Sequence, residues 1–93
     1  MSQQSSFSAL VSGRVQGVAY RYFIREKAQN KGIRGHVRNL PDGSVEVVAL
    51  GQKVILEALI EDLKKGPPAS RVEEVQIEWR ESGSSYDNFT IRY

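Results

Sequence analysis

The chain of 93 residues contains no cysteine and only one histidine. Without cysteine the protein can form neither a disulfide framework nor a thiolate nucleophile, and cysteine-ligated zinc or iron–sulfur sites are excluded. A single histidine cannot make a metal site by itself, so metal-assisted chemistry is disfavoured. We therefore expect a protein that works without a metal or any other cofactor.

Long hydrophobic runs and targeting signals are also missing. No apolar segment is close in length to the roughly 20 residues that a membrane span requires. The first six residues have neither the basic nor the apolar region of a signal peptide. These absences predict a cytoplasmic protein that does not act at a membrane.

Charge is present in both signs, but it is unevenly placed. Residues 1–46 hold seven Lys/Arg and three Asp/Glu, a net charge of +4, whereas residues 47–93 hold six and eight, a net charge of −2. This asymmetry suits a small anionic ligand near the first half, and it equally fits a scattered solvated surface. Nucleic acid is not indicated.

Composition and length predict one small domain. Hydrophobic residues make up 40% and charged residues 26% of the chain, close to the averages of globular domains. A chain of this length can bury one core and not two. We expect a flexible tail over residues 1–6 and a single, monomeric domain over 7–93.

Hydrophobic spacing predicts five strands and two helices. The predicted elements are a strand from Phe7 to near Gly13–Val15, a helix over 20–31, strands over 35–40 and 44–50, a helix over 52–65, a strand around 75–79, a Gly/Ser linker at 82–85, and a last strand with Phe89, Ile91 and Tyr93 inward. This order is βαββαβ with an additional C-terminal strand. Two helices on one face of a mostly antiparallel sheet give an α+β sandwich of the ferredoxin-like type, which hosts many functions.

The most informative segment is Gly13-Arg14-Val15-Gln16-Gly17-Val18-Ala19-Tyr20-Arg21, a loop between the first strand and the first helix. Almost none of its side chains can act as acid or base, so its value would lie in its backbone. A loop that enters a helix directs unpaired N–H groups into one concavity, where the helix dipole also favours an anion. Arg21 could reach over that concavity with a guanidinium that matches a tetrahedral oxyanion.

Other interpretations of these residues stay open on chemistry alone. Most strand-to-helix loops with one glycine bind nothing, and an arginine in a first helical turn is usually a solvated surface residue. Asn39, which precedes Leu-Pro-Asp-Gly, is typical of an ordinary strand end or turn. The sequence has no Gly-Lys-Ser/Thr of a nucleotide P-loop and no Gly-x-Gly-x-x-Gly dinucleotide motif.

The loop resembles the acylphosphatase signature of glycine, any residue, Val-Gln-Gly-Val, any residue, an aromatic residue and arginine, at every defined position. Companion segments that also match are Gly35-His36-Val37-Arg38-Asn39, Asp42-Gly43 with Val45, residues 68–72 and residues 89–93. The resemblance covers nearly the whole chain from residue 7 onward. His36 stands where a bulkier aromatic is common, which affects packing beside the site but no catalytic position.

This resemblance implies a hydrolase that cleaves the carboxylic–phosphoric anhydride bond of small acyl phosphates. It implies Arg21 and Asn39 as catalytic residues, with Asn39 holding the attacking water. It also implies that the backbone from Val15 to Tyr20 binds phosphate together with Arg21, so inorganic phosphate and sulfate should compete with substrate. The leaving carboxylate has a conjugate acid with a pKa of about 4, so no general acid is needed to expel it.

Two alternative functions compete with this hypothesis. A catalytically idle module of the same family, binding an anion or a protein, is disfavoured because Arg21 and Asn39 are both present. An RNA-binding domain of the same topology is disfavoured because the strand over 44–50 lacks aromatic stacking residues. The aromatic side chains instead have core-facing spacing; they are Tyr20, Phe23, Trp79, Tyr86, Phe89 and Tyr93.

Overall fold

The computed structural model describes residues 4–80 and 86–93. Its elements are β1 (Gln4–Arg14), α1 (Tyr20–Asn30), β2 (Arg34–Asn39), β3 (Val45–Gln52), α2 (Lys53–Lys65), β4 (Arg71–Arg80) and β5 (Phe89–Arg92). The predicted order βαββαβ with an additional strand is therefore confirmed. The predicted linker at 82–85 and residues 1–3 lie outside the described part of the chain. Neither of the two described helices is long and apolar enough to cross a membrane.

The five strands form one sheet in the order β4-β1-β3-β2-β5. β1 and β2 lie on either side of β3 and both run antiparallel to it, with Val45 pairing with Val11 on one side and Asn39 on the other. β4 pairs antiparallel with β1, and β5 pairs parallel with β2. Because β1 and β2 share the same direction, their C-terminal ends lie at the same end of the sheet.

Both helices cover the same face of this sheet. Alternate residues of β1 and β3 face each other in register, as Phe7 does with Ala49 and Ala9 with Val47. These side chains join the buried faces of α1 and α2 in one cluster, as expected for helices with an apolar stripe. The helical members of the cluster are Tyr20, Ile24, Ala28, Leu56, Leu59, Ile60 and Leu63.

Three predicted details of the fold were wrong. β1 begins at Gln4, so residues 4–6, expected in the mobile tail, are part of the sheet. They pair with the last residues of β3, because a ladder requires backbone groups and not apolar side chains.

Tyr93 does not point inward: β5 ends at Arg92, and the tyrosine is 92% exposed. Trp79 is 40% exposed, since it lies on the edge strand β4 with its ring edge-on to Phe7.

The ladder between β1 and β4 contains a bulge next to the loop that follows β1. Ser12 pairs with Glu74, but Gly13 pairs with Val72, which leaves Glu73 as an extra residue of β4. Gly13 has φ +119°, and a Cβ added there would collide with the carbonyl oxygen of Arg71 and lie 2.8 Å from the Glu73 nitrogen. The first glycine of the signature therefore allows β4 to approach β1.

We predict that Gly13→Ala destabilises the fold more than Gly43→Ala does. Both glycines have a left-handed φ, whose strain costs a non-glycine residue about 1–3 kcal/mol. Gly43 has φ +95° with open space around it, so its variant suffers only that strain, whereas the Gly13 variant also collides with β4. Urea unfolding of the two variants measures the difference. Equal losses in the free energy of unfolding would contradict the proposed close approach.

Candidate active site

The loop from Val15 to Ala19 has an alternating backbone conformation. Gly17 has φ +74° and Ala19 has φ +65°, whereas Gln16 and Val18 keep negative φ angles. Alternation of this kind turns successive N–H groups toward one concavity, which is a common way for backbone to bind an anion. A left-handed alanine costs about 1–3 kcal/mol, and such strain clusters at functional sites.

The start of α1 lacks the groups that normally satisfy a helix N-terminus. Ala19 occupies the N-cap position without a side-chain hydrogen bond, and the first turn has no acidic residue. Arg21 stands in that turn instead, where a cation is unfavourable to the helix dipole. No backbone N–H of residues 16–20 donates a hydrogen bond to any group in the described part of the chain. These donors are available to an external anion.

The side chain of Gln16 ties this loop to the turn between β2 and β3. Its Nε2 donates to the carbonyl oxygens of Leu40 and Ser44, both at 2.8 Å. The same turn is closed by a hydrogen bond from the Leu40 N–H to the Ser44 carbonyl at 2.9 Å. Because Leu40 directly follows Asn39, the clamp holds the loop beside the C-terminal end of β2. Sequence reasoning assigned only the backbone of Gln16 and missed this contact.

The Asn39 side chain is half-buried and lacks hydrogen-bond partners. Its Oδ1 atom is buried and has no hydrogen-bond partner among residues 4–80 and 86–93. Buried polar atoms are usually paired, and an unsatisfied one costs about 1–3 kcal/mol. The carboxamide is thus held free to bind a water molecule or a ligand.

The Arg21 guanidinium lies over an aromatic ring. Its Cζ is 4.9 Å from the ring centroid of Tyr93, a cation–π contact. In the described part of the chain, no acidic side chain forms an ion pair with Arg21. Its charge is therefore not neutralised by a neighbouring carboxylate. Strand alternation predicted Tyr93 inward, so no sequence pattern indicated this contact.

Other side chains of the loop anchor it to the core. Val15 is fully buried, and the buried Tyr20 hydroxyl donates to the Leu63 carbonyl at 2.7 Å. Burial raises the pKa of Tyr20, so this hydroxyl remains a protonated donor. Both ends of the loop are fixed by core contacts, while the backbone between them carries the free donors.

His36 belongs to a buried hydrogen-bond network three residues before Asn39. Its Nε2 lies 3.2 Å from Oε1 of Glu46, and its Nδ1 lies 3.3 Å from the Tyr86 hydroxyl. Glu46 also accepts a hydrogen bond from Arg38 at 2.7 Å. A neutral imidazole that donates from Nε2 and accepts at Nδ1 satisfies both contacts. His36 is therefore a structural partner of Glu46 and Tyr86.

Protonation of His36 is opposed by its surroundings. Burial lowers the pKa of the imidazole below its ordinary value, the hydrogen bond to Glu46 opposes this change, and the charge of Arg92 adds to it. The unfolded chain therefore binds the proton at a higher pH than the folded one. Stability contributed by the neutral imidazole is complete above pH about 6.5 and is lost as the pH falls below that value.

We predict that His36→Gln removes the pH dependence of stability between pH 7.5 and 5.5. In this range His36 is the only side chain with an ordinary pKa, and one proton gives a slope of at most about 1.4 kcal/mol per pH unit. Urea unfolding of the parent should show a fall in the free energy of unfolding toward pH 5.5. The variant, measured in the same buffers, should show a flat profile. A parent whose stability does not change over this range would contradict the assignment.

The chain is similar to known proteins over nearly its whole length. The family model described as acylphosphatase matches residues 7–91. An acylphosphatase of Thermus thermophilus is 55% identical over 73 residues, 78% of this chain and 83% of its own, and one of an Anaeromyxobacter species is 41% identical over the full length of both chains. The crystal structure of acylphosphatase from Bacillus subtilis superposes with a TM-score of 0.93 at 35% identity, covering 96% of this chain and 99% of that one. The family model over residues 7–91 and these relatives, which match nearly the whole chain, show that the protein belongs to the acylphosphatase family.

Proposed function

We propose that the protein hydrolyses acyl phosphates with the backbone N–H groups of residues 15–20, Arg21 and Asn39 as its catalytic equipment. Family membership makes the protein a hydrolase of acyl phosphates. The roles of the individual residues rest on the matched signature and on their surroundings. We extend the proposal to a monomer that acts in the cytoplasm and uses neither a cofactor nor a metal.

One observation carries this proposal. At a single end of the sheet, the N–H groups of residues 16–20 and the Asn39 carboxamide have no partners among the described residues. The Gln16 clamp holds the two groups side by side. N–H groups that converge at a helix N-terminus are a common binding site for an anion with several acceptor oxygens, and the buried Asn39 Oδ1 atom has a bound water as its natural partner.

The loop and Arg21 suit a phosphoryl group in transfer. A loose transition state spreads negative charge over the three peripheral oxygens of the phosphoryl group. Fixed N–H donors at a helix N-terminus stabilise that charge without having to reorganise during the reaction. Arg21 adds a planar fork of donors that binds two of these oxygens at once. The contact with Tyr93 restricts the guanidinium before substrate arrives.

Asn39 supports the attacking water. Its carboxamide offers one acceptor and two donors, and the acceptor oxygen is unpaired within the described part of the chain. A water held by the acceptor points a lone pair toward the phosphorus, which raises the fraction of productive encounters. Asn39 would thereby contribute through position and not through proton transfer.

Residues 15–19 carry no acidic or basic side chain, which is consistent with the leaving group. A carboxylate departs without protonation at neutral pH, since its conjugate acid has a pKa near about 4. Tyr20, the one loop side chain with a titratable proton, is committed to Leu63 in the core. We expect release of phosphate from benzoyl phosphate, little from an ordinary phosphate monoester, and the same activity after exhaustive chelation. An idle family member would release none.

We predict that Arg21→Ala lowers kcat/KM for benzoyl phosphate by about 10²- to 10⁴-fold, because two charge-assisted hydrogen bonds of about 1.5–3 kcal/mol each are lost. Arg21→Lys should restore little, since an ammonium lacks the planar fork. Phosphate inhibition should weaken in both variants.

The matched control is Arg25→Ala, one turn further along α1, where the guanidinium lies over the Tyr22 ring. We expect this variant to keep parental kinetics. If a folded Arg21→Ala protein matched the parent, or if Arg25→Ala lost as much activity, Arg21 would not be the phosphate ligand.

We predict that Asn39→Ala separates binding from chemistry. Turnover of benzoyl phosphate should fall by about 10²-fold, as for other positioned polar groups that act mainly in the transition state. The inhibition constant of inorganic phosphate should stay near that of the parent, because the N–H groups and Arg21 remain. A variant that loses phosphate affinity as severely as turnover would identify Asn39 as a binding or structural residue.

A further inference from the structure

The Gln16 side chain joins the loop over residues 15–20 to the turn between β2 and β3. Its Nε2 atom carries two N–H groups, and the carbonyl oxygens of Leu40 and Ser44 each lie 2.8 Å from that nitrogen. In the part of the chain that the structure describes, residues 16–18 form no other hydrogen bond. The loop is therefore connected to the turn through one carboxamide.

The turn itself does not need this side chain. The Leu40 N–H donates to the Ser44 carbonyl at 2.9 Å, and the Gly43 N–H donates to the Leu40 carbonyl at 3.1 Å. The Asp42 carboxylate accepts a further hydrogen bond from the Ser44 N–H at 2.9 Å. A turn closed by hydrogen bonds of its own keeps its conformation without Gln16. What the glutamine adds is the position of the turn relative to the loop.

Pairing within the sheet fixes only one of the two halves of the site. Asn39 pairs with Val45 and thereby takes a defined place at the end of β2. Residues 15–19 belong to no strand or helix, since β1 ends at Arg14 and α1 begins at Tyr20. Reacting groups must meet at close range and in line, and an error of about 1 Å can lower the rate by about 10²-fold. The separation between the loop and Asn39 is thus a distance that the site has to control.

We propose that Gln16 is a positioning residue for the hydrolysis, which sets the distance between the loop and the Asn39 carboxamide. The inference rests on the proposed function, in which the loop and Arg21 bind the phosphoryl group and Asn39 holds the attacking water. The Leu40 carbonyl that Gln16 binds lies one residue beyond Asn39, so a movement of the turn moves the water as well. Both N–H groups of the glutamine are used, which limits rotation of its carboxamide. Gln16 thereby acts on turnover through Asn39 and leaves the phosphate ligands unchanged.

The test replaces Gln16 with methionine, a side chain of similar length that lacks the two N–H donors. We expect Gln16→Met to lower kcat for benzoyl phosphate by about 10- to 10²-fold, because the water is no longer held in line with the phosphorus. The inhibition constant of inorganic phosphate should stay within about threefold of the parent, since the backbone N–H groups and Arg21 remain. Gln16 is only half-buried, so methionine fits without displacing the core. Urea unfolding of the variant checks that it is folded.

Gln29→Met is the matched control. The Nε2 atom of Gln29 donates to the Phe89 carbonyl at 2.9 Å. Phe89 pairs with Gly35 near the start of β2, whereas Asn39 is the last residue of that strand. The control therefore loses the same kind of hydrogen bond between a side chain and the backbone, but away from the site. Its kcat should stay within about twofold of the parent, because distant sites act independently.

A double-mutant cycle with Asn39→Ala tests whether Gln16 acts through the asparagine. In that background no carboxamide remains to be positioned, so Gln16→Met should lower kcat there by no more than about twofold. A residue that only stabilised the fold would cost the same factor in both backgrounds. Gln16→Asn is the second variant, should the methionine variant not fold. Its carboxamide is one methylene shorter and cannot reach both carbonyls, so its kcat should lie between those of the parent and Gln16→Met.

Several outcomes would overturn the proposal. These are a parental kcat in folded Gln16→Met, a loss of phosphate affinity as large as the loss of turnover, an equal loss of kcat in Gln29→Met, or an undiminished effect of Gln16→Met in the Asn39→Ala background. A parent that does not hydrolyse benzoyl phosphate, or an Asn39→Ala variant with parental turnover, would instead contradict the proposed function itself. The two failures are therefore distinguishable within one set of measurements.

Discussion

The arrangement of β1 and β2 on either side of β3 is the constraint on which the site depends. Two strands antiparallel to the same neighbour must run in the same direction, so the loop after β1 and the last residue of β2 meet at one end of the sheet. The Gln16 side chain then fixes their separation through two hydrogen bonds to the turn beyond Asn39. Residues far apart in the chain become neighbours through backbone pairing, and only one side chain is needed to secure them.

The start of α1 shows how this small domain balances stability against function. An uncapped N-terminus, a left-handed alanine and an arginine in the first turn each oppose helix formation. The helix forms because its other face is anchored in the core by Tyr20, Ile24 and Ala28. The unsatisfied end is therefore supported by packing elsewhere, and the same groups that weaken the helix are those an anion needs. Local conflicts of this kind are expected at functional sites.

The sequence predicted the order of elements because each carries strong periodicity and clear turn residues. It predicted Arg21, Asn39 and the loop because these positions match a specific signature, whereas their chemistry alone left the question open. The predicted burial of Tyr93 and Trp79 was wrong. Strand alternation predicts the face of the sheet on which a side chain lies, but it does not predict whether another element covers that face. The Gln16 clamp and the β4 bulge depend on pairing between distant segments, which no local pattern encodes. The turn chemistry of Pro41-Asp42-Gly43, in contrast, is local and was recognised.

The position of β1 inside the sheet also governs how the chain folds. This first strand pairs with β3 and with β4, so Ser6 meets Leu50 on one side and Arg80 on the other. Most of the ordered chain must therefore be closed into loops before β1 has both neighbours. The chain loses the conformational entropy of that closure before it gains the hydrogen bonds and contacts of the paired strands. Domains dominated by such distant contacts fold slowly, over milliseconds to seconds, despite their small size. During synthesis, β1 cannot complete its pairing until β4 (Arg71–Arg80) has been made.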